Sequence, residues 1–168
     1  MNERKESTTS IILEYVRVIV LTVIATFIFL QFVQISRVNG SSMENTYFQN
    51  NIVLIDKVFY KHSQPKRNDI IIVDYDDGLD DTLIIKRVIA VGGDHLDIKN
   101  NEVYINGKKI KESYIKENMK TEDLSIDIPK GKVFVMGDNR NHSLDSRKLG
   151  YFDFDSDVIG KVFFKIPL

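Results

Sequence analysis

Residues 82–91, Thr-Leu-Ile-Ile-Lys-Arg-Val-Ile-Ala-Val, form an apolar run that only Lys86 and Arg87 interrupt. Its length and its β-branched residues predict a largely buried strand. Side chains alternate along a strand, so Lys86 shares a face with Ile84 and Val88, while Arg87 points to the opposite face. Because both faces are mostly apolar, we expect at least one of the two charges to be partly buried.

Lys86 is the member of this pair that can respond to burial by losing its proton. Desolvation lowers the pKa of a lysine from about 10.4, by several units when burial is complete. A neutral lysine can then serve as a general base near neutral pH, whereas arginine stays protonated. A lysine at the end of a strand that reaches solvent is the alternative interpretation of the same pattern.

The segments around this run predict a mostly-β domain. Asn106-Gly107 between two short β-prone runs is typical of a hairpin with a type I′ turn. The polar stretch 112–127 predicts a surface connection, and the acidic stretch 74–81 predicts a solvated loop. The expected strands, from their β-branched and apolar composition, are 52–55, 70–73, 82–91, 103–105, 108–110, 132–136 and 158–166.

An apolar segment precedes the β-domain. Val18 to Ser36 carries no charge and is about long enough to cross a hydrocarbon core of roughly 30 Å. We predict one transmembrane helix over residues 11–36, after a cytoplasmic segment 1–10. A cleaved signal peptide is the alternative, but no small-x-small cleavage site follows the run.

The charges that flank this segment predict its orientation. Arg4, Lys5 and Arg17 precede the apolar run, and Arg37 is the nearby basic residue after it. The positive-inside rule therefore favours a cytoplasmic N-terminus. Residues 37–168 would form one extracytoplasmic domain, with a small accessory β region around 92–128.

Composition excludes several kinds of chemistry. The 168-residue chain has no cysteine, so it can form no disulfide and offers no thiol as a nucleophile or metal ligand. Its three histidines show no ligand spacing, and we expect no metal. A formal net charge of −1 gives no reason to expect a nucleic-acid partner.

A serine lies soon after the apolar segment, in Gly40-Ser41-Ser42-Met43. Gly40 allows a tight backbone conformation and close approach of a substrate. At no more than about 3.6 Å per residue, Ser42 lies within roughly 30 Å of the end of the span. Ser42 is therefore a candidate nucleophile that would work beside a bilayer, although a simple turn after a helix gives the same pattern.

A dense polar run, Gly137-Asp138-Asn139-Arg140-Asn141-His142-Ser143-Leu144-Asp145-Ser146-Arg147, follows the predicted strand 132–136. Asp145 and Arg147 could form an ion pair that fixes the loop. Ser143 could accept or donate a hydrogen bond that aims the Lys86 amine. A polar surface loop is the alternative, and nothing marks His142 as a partner of Ser42.

Together, Gly-x-Ser-Met, Lys-Arg and Gly-Asp-Asn-Arg-x-x-Ser-x-Asp-Ser-Arg, in this order behind an N-terminal anchor, resemble the motifs of bacterial type I signal peptidases. The resemblance runs through nearly the whole chain and is closest to the short, single-span form of Gram-positive bacteria. It implies a mostly-β peptidase without a cofactor, anchored in the cell membrane, that removes signal peptides from exported preproteins after small residues. Preproteins and the bilayer would be its partners, with the secretion machinery as a further one.

The resemblance also implies roles for individual residues. Ser42 would be the nucleophile and Lys86 the base, with an acyl-enzyme between the two half-reactions. Ser143 would orient Lys86, and Asp145 with Arg147 would support the site. The backbone N–H of Ser42 would help to hold the oxyanion, with Gly40 and Met43 beside the substrate.

The chain departs from the family pattern at three places, and none of them removes a catalytic residue. Asn45 stands where members often carry proline, Gly40 replaces a hydroxyl-bearing residue found in some members, and Asn68-Asp69 replaces a usual Gly-Asp. A self-cleaving repressor with the same dyad would carry a DNA-binding domain in place of an anchor. The alternative from another class is a non-enzymatic, membrane-anchored β-domain that binds an exported partner.

Overall fold

The computed structural model describes residues 8–76 and 81–167. These residues form one long helix followed by a mostly-β body with two antiparallel sheets, as the sequence predicts. The elements in chain order are α1 Thr8–Phe32, β1 Val33–Arg37, β2 Ile52–Asp56, β3 Ile70–Asp76, β4 Asp81–Val91, β5 His95–Lys99, β6 Glu102–Ile105, β7 Lys108–Lys109, β8 Leu124–Asp127, β9 Lys132–Met136, α2 Ser146–Leu149, β10 Phe152–Asp153 and β11 Val158–Ile166, with 3₁₀ turns at Tyr60–His62 and Arg140–His142.

Helix α1 is long and apolar enough to cross a membrane, and it is the one such helix in the described part of the chain. Its 25 residues span about 37 Å at 1.5 Å per residue. None of its side chains is buried against the β-body. From Val18 to its end the helix carries no charged residue, which is typical of a segment surrounded by lipid.

The helix ends at Phe32, earlier than the predicted boundary at residue 36, because the next residues pair with β2 as an edge strand. Strand β1 follows without a linker. The Phe32 ring stacks on Phe59 with centroids 5.4 Å apart, and the N–H of Lys57 donates to the Phe32 carbonyl at 3.2 Å. The end of the helix is therefore attached directly to the loop that follows β2.

The larger sheet has seven strands in the order β1-β2-β11-β3-β4-β9-β10. Strand β4 lies inside this sheet, between β3 and β9. Lys86 is opposite Ile71 of β3, and the next residue, Arg87, is opposite Ile70 of β3 and Met136 of β9. Lys86 and Arg87 therefore both lie in the middle of the sheet.

The smaller sheet has the order β7-β6-β5-β8 and lies within the predicted accessory region. The expected hairpin is present, with positive φ angles of 52° at Asn106 and 75° at Gly107. The prediction that 112–127 is entirely a connection is wrong for Leu124–Asp127, which pairs with β5. In the predicted loop 74–81, β3 extends to residue 76 and β4 begins at 81, while 77–80 lie outside the described residues.

Three clusters of buried apolar side chains make up the core. One joins the smaller sheet to β9 through Phe134 and Met136, and a second lies around Ile71 and Val135. The third contains Met43, from the segment that carries the candidate nucleophile. The segment of the candidate nucleophile is therefore packed into the core of the domain and is not a free loop.

Candidate active site

The candidate nucleophile lies on a short, hydrogen-bonded turn after β1, residues 41–46, which we call the nucleophile turn. The N–H of Glu44 donates to the Ser41 carbonyl at 3.1 Å, and that of Thr46 donates to the Met43 carbonyl at 3.0 Å. Met43 is only 1% exposed and anchors the turn in the core. Gly40, with φ of 97°, takes the left-handed conformation that lets the chain enter the turn. Ser42 remains half-buried at its top.

Lys86 of β4 reaches the nucleophile turn. Its Nζ lies 2.9 Å from Ser42 Oγ and donates to the Ile85 carbonyl at 3.0 Å. The Lys86 side chain is 3% exposed, which agrees with the burial expected from the sequence. Burial lowers the pKa of Lys86 from 10.5 to about 8, although the negative charge of Asp145 acts in the opposite direction. A substantial fraction of this amine is therefore unprotonated in mildly alkaline solution.

Arg87, on the opposite face of β4, pairs with Asp138 of the third motif. Its Nε and Nη2 donate to the two carboxylate oxygens at 2.8 and 2.7 Å, and Asp138 is fully buried. The Thr46 hydroxyl donates to the same carboxylate. A two-point contact between arginine and carboxylate fixes direction as well as distance. This buried pair therefore joins β4, the third motif and the nucleophile turn.

Within the third motif, Asp145 and Arg147 form the predicted ion pair, with Nε–Oδ1 and Nη2–Oδ2 distances of 2.9 and 2.8 Å. Asp145 Oδ2 also accepts the N–H of Gly137 at 3.0 Å, and Arg147 Nη2 donates to the Arg140 carbonyl at 2.5 Å. Burial alone would raise the pKa of Asp145, but the hydrogen bond and charge of Arg147 outweigh it and hold that pKa below 3.8. Asp145 is therefore ionised while Lys86 titrates.

Ser143 is packed against the nucleophile turn. A Cβ added at Gly137 would lie 2.3 Å from Ser143 Oγ and 2.5 Å from the Ser42 carbonyl oxygen, so these groups converge on one glycine. The Ser143 hydroxyl is buried and close enough to Asp145 to help lower its pKa. It makes no hydrogen bond of normal geometry with any described residue, Lys86 included. Its suggested role in orienting the amine therefore stays a prediction.

Two of the three departures noted in the sequence have a backbone explanation. Asn45 and Asn68 have positive φ angles of 92° and 73°. Asparagine tolerates this left-handed conformation better than most residues, whereas the ring of proline fixes φ near −65°. Asn68 therefore adopts a conformation that suits glycine, and Asn45 adopts one that proline cannot.

The sequence patterns assign no role to Asn139, which makes two hydrogen bonds to the nucleophile turn. Its N–H donates to the Ser42 carbonyl at 2.9 Å, and its Nδ2 donates to the Ser41 carbonyl at 3.0 Å. Its position inside the dense polar run was the sequence feature that could have indicated this role.

His142 lies exposed on the neighbouring 3₁₀ turn. In residues 8–76 and 81–167, no three His, Asp or Glu side chains come together as metal ligands.

Comparison with known proteins identifies the family of the chain. A family described as "Signal peptidase, peptidase S26" matches residues 12–166. Signal peptidase I P of Bacillus subtilis subsp. natto is 33% identical over 95% of this chain and 91% of its own. Signal peptidase I S of Bacillus subtilis (strain 168) is 35% identical over 90% of this chain and 88% of its own.

A crystal structure of a signal peptidase I from Enterococcus faecalis V583 superposes with a TM-score of 0.52 and 28% sequence identity. It covers 60% of this chain and 98% of that chain. The family match, over residues 12–166, includes most of the apolar N-terminal helix and the β-body. The chain therefore belongs to the signal peptidase family, peptidase S26, and is a signal-peptide-removing serine endopeptidase whose N-terminal helix is consistent with a membrane anchor.

Proposed function

We propose that this peptidase cuts the signal peptide from exported preproteins with a Ser42–Lys86 dyad and an acyl-enzyme intermediate. The observation that carries the proposal is the 2.9 Å approach of a buried lysine amine to the hydroxyl of Ser42. A nucleophile and a base in hydrogen-bond contact are the minimum that acyl transfer requires. The non-enzymatic alternative leaves this contact without a function.

In the first half-reaction, the neutral Lys86 amine accepts the proton of Ser42 as Oγ attacks the scissile carbonyl carbon. The backbone N–H of Ser42 donates to the developing oxyanion, a contact that can be worth several kcal/mol, on the order of 3. Lys86 then gives its proton to the leaving amine, and the mature protein departs. The signal peptide remains bound to Ser42 as an ester.

In the second half-reaction, Lys86 accepts a proton from a water molecule that attacks this ester. The ester bond breaks, Lys86 returns its proton to Ser42, and the signal peptide leaves with a new carboxyl group that loses its remaining proton to solvent. Asp145 stays ionised throughout and stabilises the transient Lys86 ammonium. Arg147 holds Asp145 in place, and the Ser143 hydroxyl is available to direct the neutral amine toward Ser42.

The membrane arrangement follows from the flanking charges. Three basic residues precede the apolar run, so the N-terminus would be cytoplasmic and the catalytic domain extracytoplasmic. Ser42 would then meet preproteins whose scissile bond lies just beyond a membrane-embedded segment. Protease added outside intact cells should digest an epitope tag after residue 168 and leave an N-terminal tag untouched, and the reverse result would overturn this orientation.

Product analysis tests the activity itself. The full chain, purified in detergent, is incubated with a preprotein that carries an Ala-x-Ala site, and the new N-terminus is determined by mass spectrometry. We expect cleavage directly after the second alanine. A matched preprotein with leucine in place of that alanine should stay uncut, and equal cleavage of both would contradict the proposed preference for small residues.

A further inference from the structure

Residues 112–116, between β7 and β8, form no regular element, and we call them the strap. The strap lies against the nucleophile turn. The side-chain amide of Asn45 donates to the carbonyl oxygens of Tyr114 and Ile115 at 3.0 and 3.4 Å. Beside it, Lys116 Nζ pairs with Glu44 Oε2 at 2.5 Å. Glu44 and Asn45, the two residues that follow Met43, are therefore both bound to the strap.

The strap also contacts the third motif. The N–H of Lys116 donates to the Asp138 carbonyl at 3.0 Å. Glu112 accepts from Nη1 and Nη2 of Arg140 at 2.9 and 2.5 Å, and Arg140 is only 1% exposed. Because Asp138 and Arg140 are buried, both ends of the strap are held firmly.

The central residue of the strap reaches the strand of the base. The guanidinium of Arg87 lies 4.0 Å from the centre of the Tyr114 ring, within the range of a cation–π contact. The Tyr114 hydroxyl donates to Glu112 Oε1 at 2.9 Å, which fixes the ring. The strap thus contacts the segments that carry Ser42, Lys86 and Asp145, although it belongs to none of the three motifs.

Asn45 is the point at which the nucleophile turn is attached to this surface. Its φ of 92° directs its short side chain toward the strap, and its amide supplies donors to two carbonyl oxygens. Ser42 is three residues earlier in the same hydrogen-bonded turn. A shift of this turn changes the distance between Ser42 Oγ and Lys86 Nζ, and a catalytic step is sensitive to displacements of about 1 Å.

We propose that Asn45 is a positioning residue, which sets the reactive geometry of Ser42 by fastening the nucleophile turn to the strap. The proposal rests on the Ser42–Lys86 dyad described above. The competing account is that Asn45 only supplies a left-handed backbone conformation, in which case its amide group would not affect catalysis.

Two substitutions separate these accounts. Asn45→Gly keeps the left-handed conformation and removes the amide. Asn45→Asp keeps the size of the side chain and also tolerates positive φ, but it turns an acceptor toward two carbonyl oxygens. Asn50→Gly is the matched control, because Asn50 is an exposed asparagine with φ of 69° outside the nucleophile turn.

The full chain is assayed in detergent, well below its melting temperature, for kcat and KM on the Ala-x-Ala preprotein. We expect Asn45→Gly to lower kcat about three- to tenfold, as loss of the hydrogen bonds of the Asn45 amide allows, with KM within twofold. Asn45→Asp should lower kcat further, and Asn50→Gly should match the wild type. Melting temperatures, measured by circular dichroism, confirm that each variant is folded at the assay temperature.

Retention of wild-type kcat by both Asn45 variants would overturn the positioning role, as would a change confined to KM. Failure of the dyad itself gives a different result, because Ser42→Ala would then cleave the preprotein as fast as the wild type. Running Ser42→Ala beside the Asn45 variants therefore distinguishes failure of this inference from failure of the proposed function.

Discussion

The N–H of Asn139 donates a 2.9 Å hydrogen bond to the carbonyl oxygen of Ser42. The absent Cβ of Gly137 would lie 2.5 Å from that same oxygen. The Ser42 carbonyl oxygen thus accepts a hydrogen bond from one residue of the third motif and occupies space that a side chain on another would fill. The dense polar run therefore has two roles in the structure. It contains the Asp145–Arg147 ion pair, and it packs against the peptide group after Ser42 and fixes its position.

Gly137→Ala should move the nucleophile turn. The new methyl group would overlap Ser143 Oγ and the Ser42 carbonyl, so the backbone must shift. We expect kcat/KM to fall about 100-fold, the effect of a displacement near 1 Å at a catalytic centre. We also expect a loss of about 1–3 kcal/mol in the free energy of unfolding.

Gly160→Ala on β11 is the control for that change. Its Cβ would lie 2.4 Å from the carbonyl oxygen of Asp56, and its nearest neighbours include no atom of Ser42, Lys86 or Ser143. A similar loss of stability with near-wild-type kcat is expected at a temperature where the variant is folded. If both alanine variants lost activity in proportion to stability, overpacking alone would explain Gly137→Ala.

The rate of cleavage should depend on pH through Lys86. Burial holds the pKa of Lys86 at about 8, and only the unprotonated amine can accept the Ser42 proton. kcat/KM should therefore rise as pH increases through about 8 and level off above it. A profile of initial rates between pH 6 and 10 checks this, and a rate independent of pH would exclude Lys86 as the base.

The buried Lys86 should lower the free energy of unfolding of the chain at neutral pH. Its pKa is lower in the folded chain, about 8, than the 10.5 of an exposed lysine, so the unfolded chain binds more protons between these values. Wild-type stability should therefore rise with pH across this window. Lys86→Met, which fills a similar volume without a charge, should stabilise the chain by about 1–3 kcal/mol at pH 7.

The gain from Lys86→Met should shrink as pH rises and disappear above 10.5, where the lysine is neutral in both states. Urea unfolding of the full chain in detergent, followed by circular dichroism at pH 7 and at high pH, measures the difference. A destabilised Lys86→Met at neutral pH would show that the contacts of the amine outweigh its desolvation.

Ser143→Ala should separate activity from stability. The hydroxyl is buried and has no hydrogen-bond partner of normal geometry among the described residues, so removing it should change the free energy of unfolding by less than about 1 kcal/mol. If it orients the neutral amine, kcat should fall about 10- to 100-fold with little change in KM. Unchanged kcat would assign Ser143 to packing alone.

Much of the β-body could be predicted because its strands carry local signals. The run 82–91 and the Asn106-Gly107 turn both behave as their composition indicates. Strand β1 was hidden, because its apolar residues continue the apolar segment and nothing in the sequence marks the change at Val33. Strands β5 and β8 were not evident from the sequence, because each contains polar residues and alternates apolar with polar positions over only four or five residues.

The site was predictable only as far as its motifs extend. The contact of Lys86 with Ser42 joins residues 44 positions apart, so no local pattern gives its distance. The Arg87–Asp138 pair and the bonds of Asn139 depend likewise on how β4, β9 and the nucleophile turn meet. Tyr114 lies in a stretch that reads as a polar connection, and its position between three motifs is visible only after folding.

The most direct test of the dyad compares initial cleavage rates of wild type, Ser42→Ala and Lys86→Arg on the Ala-x-Ala preprotein. Each purified variant is first shown to be folded by circular dichroism. The account predicts cleavage by the wild type and at least a 1,000-fold loss (an order-of-magnitude value for a missing nucleophile or base) in both variants. Wild-type turnover by folded Ser42→Ala or Lys86→Arg would contradict it, because one lacks the attacking oxygen and the other cannot give up its proton.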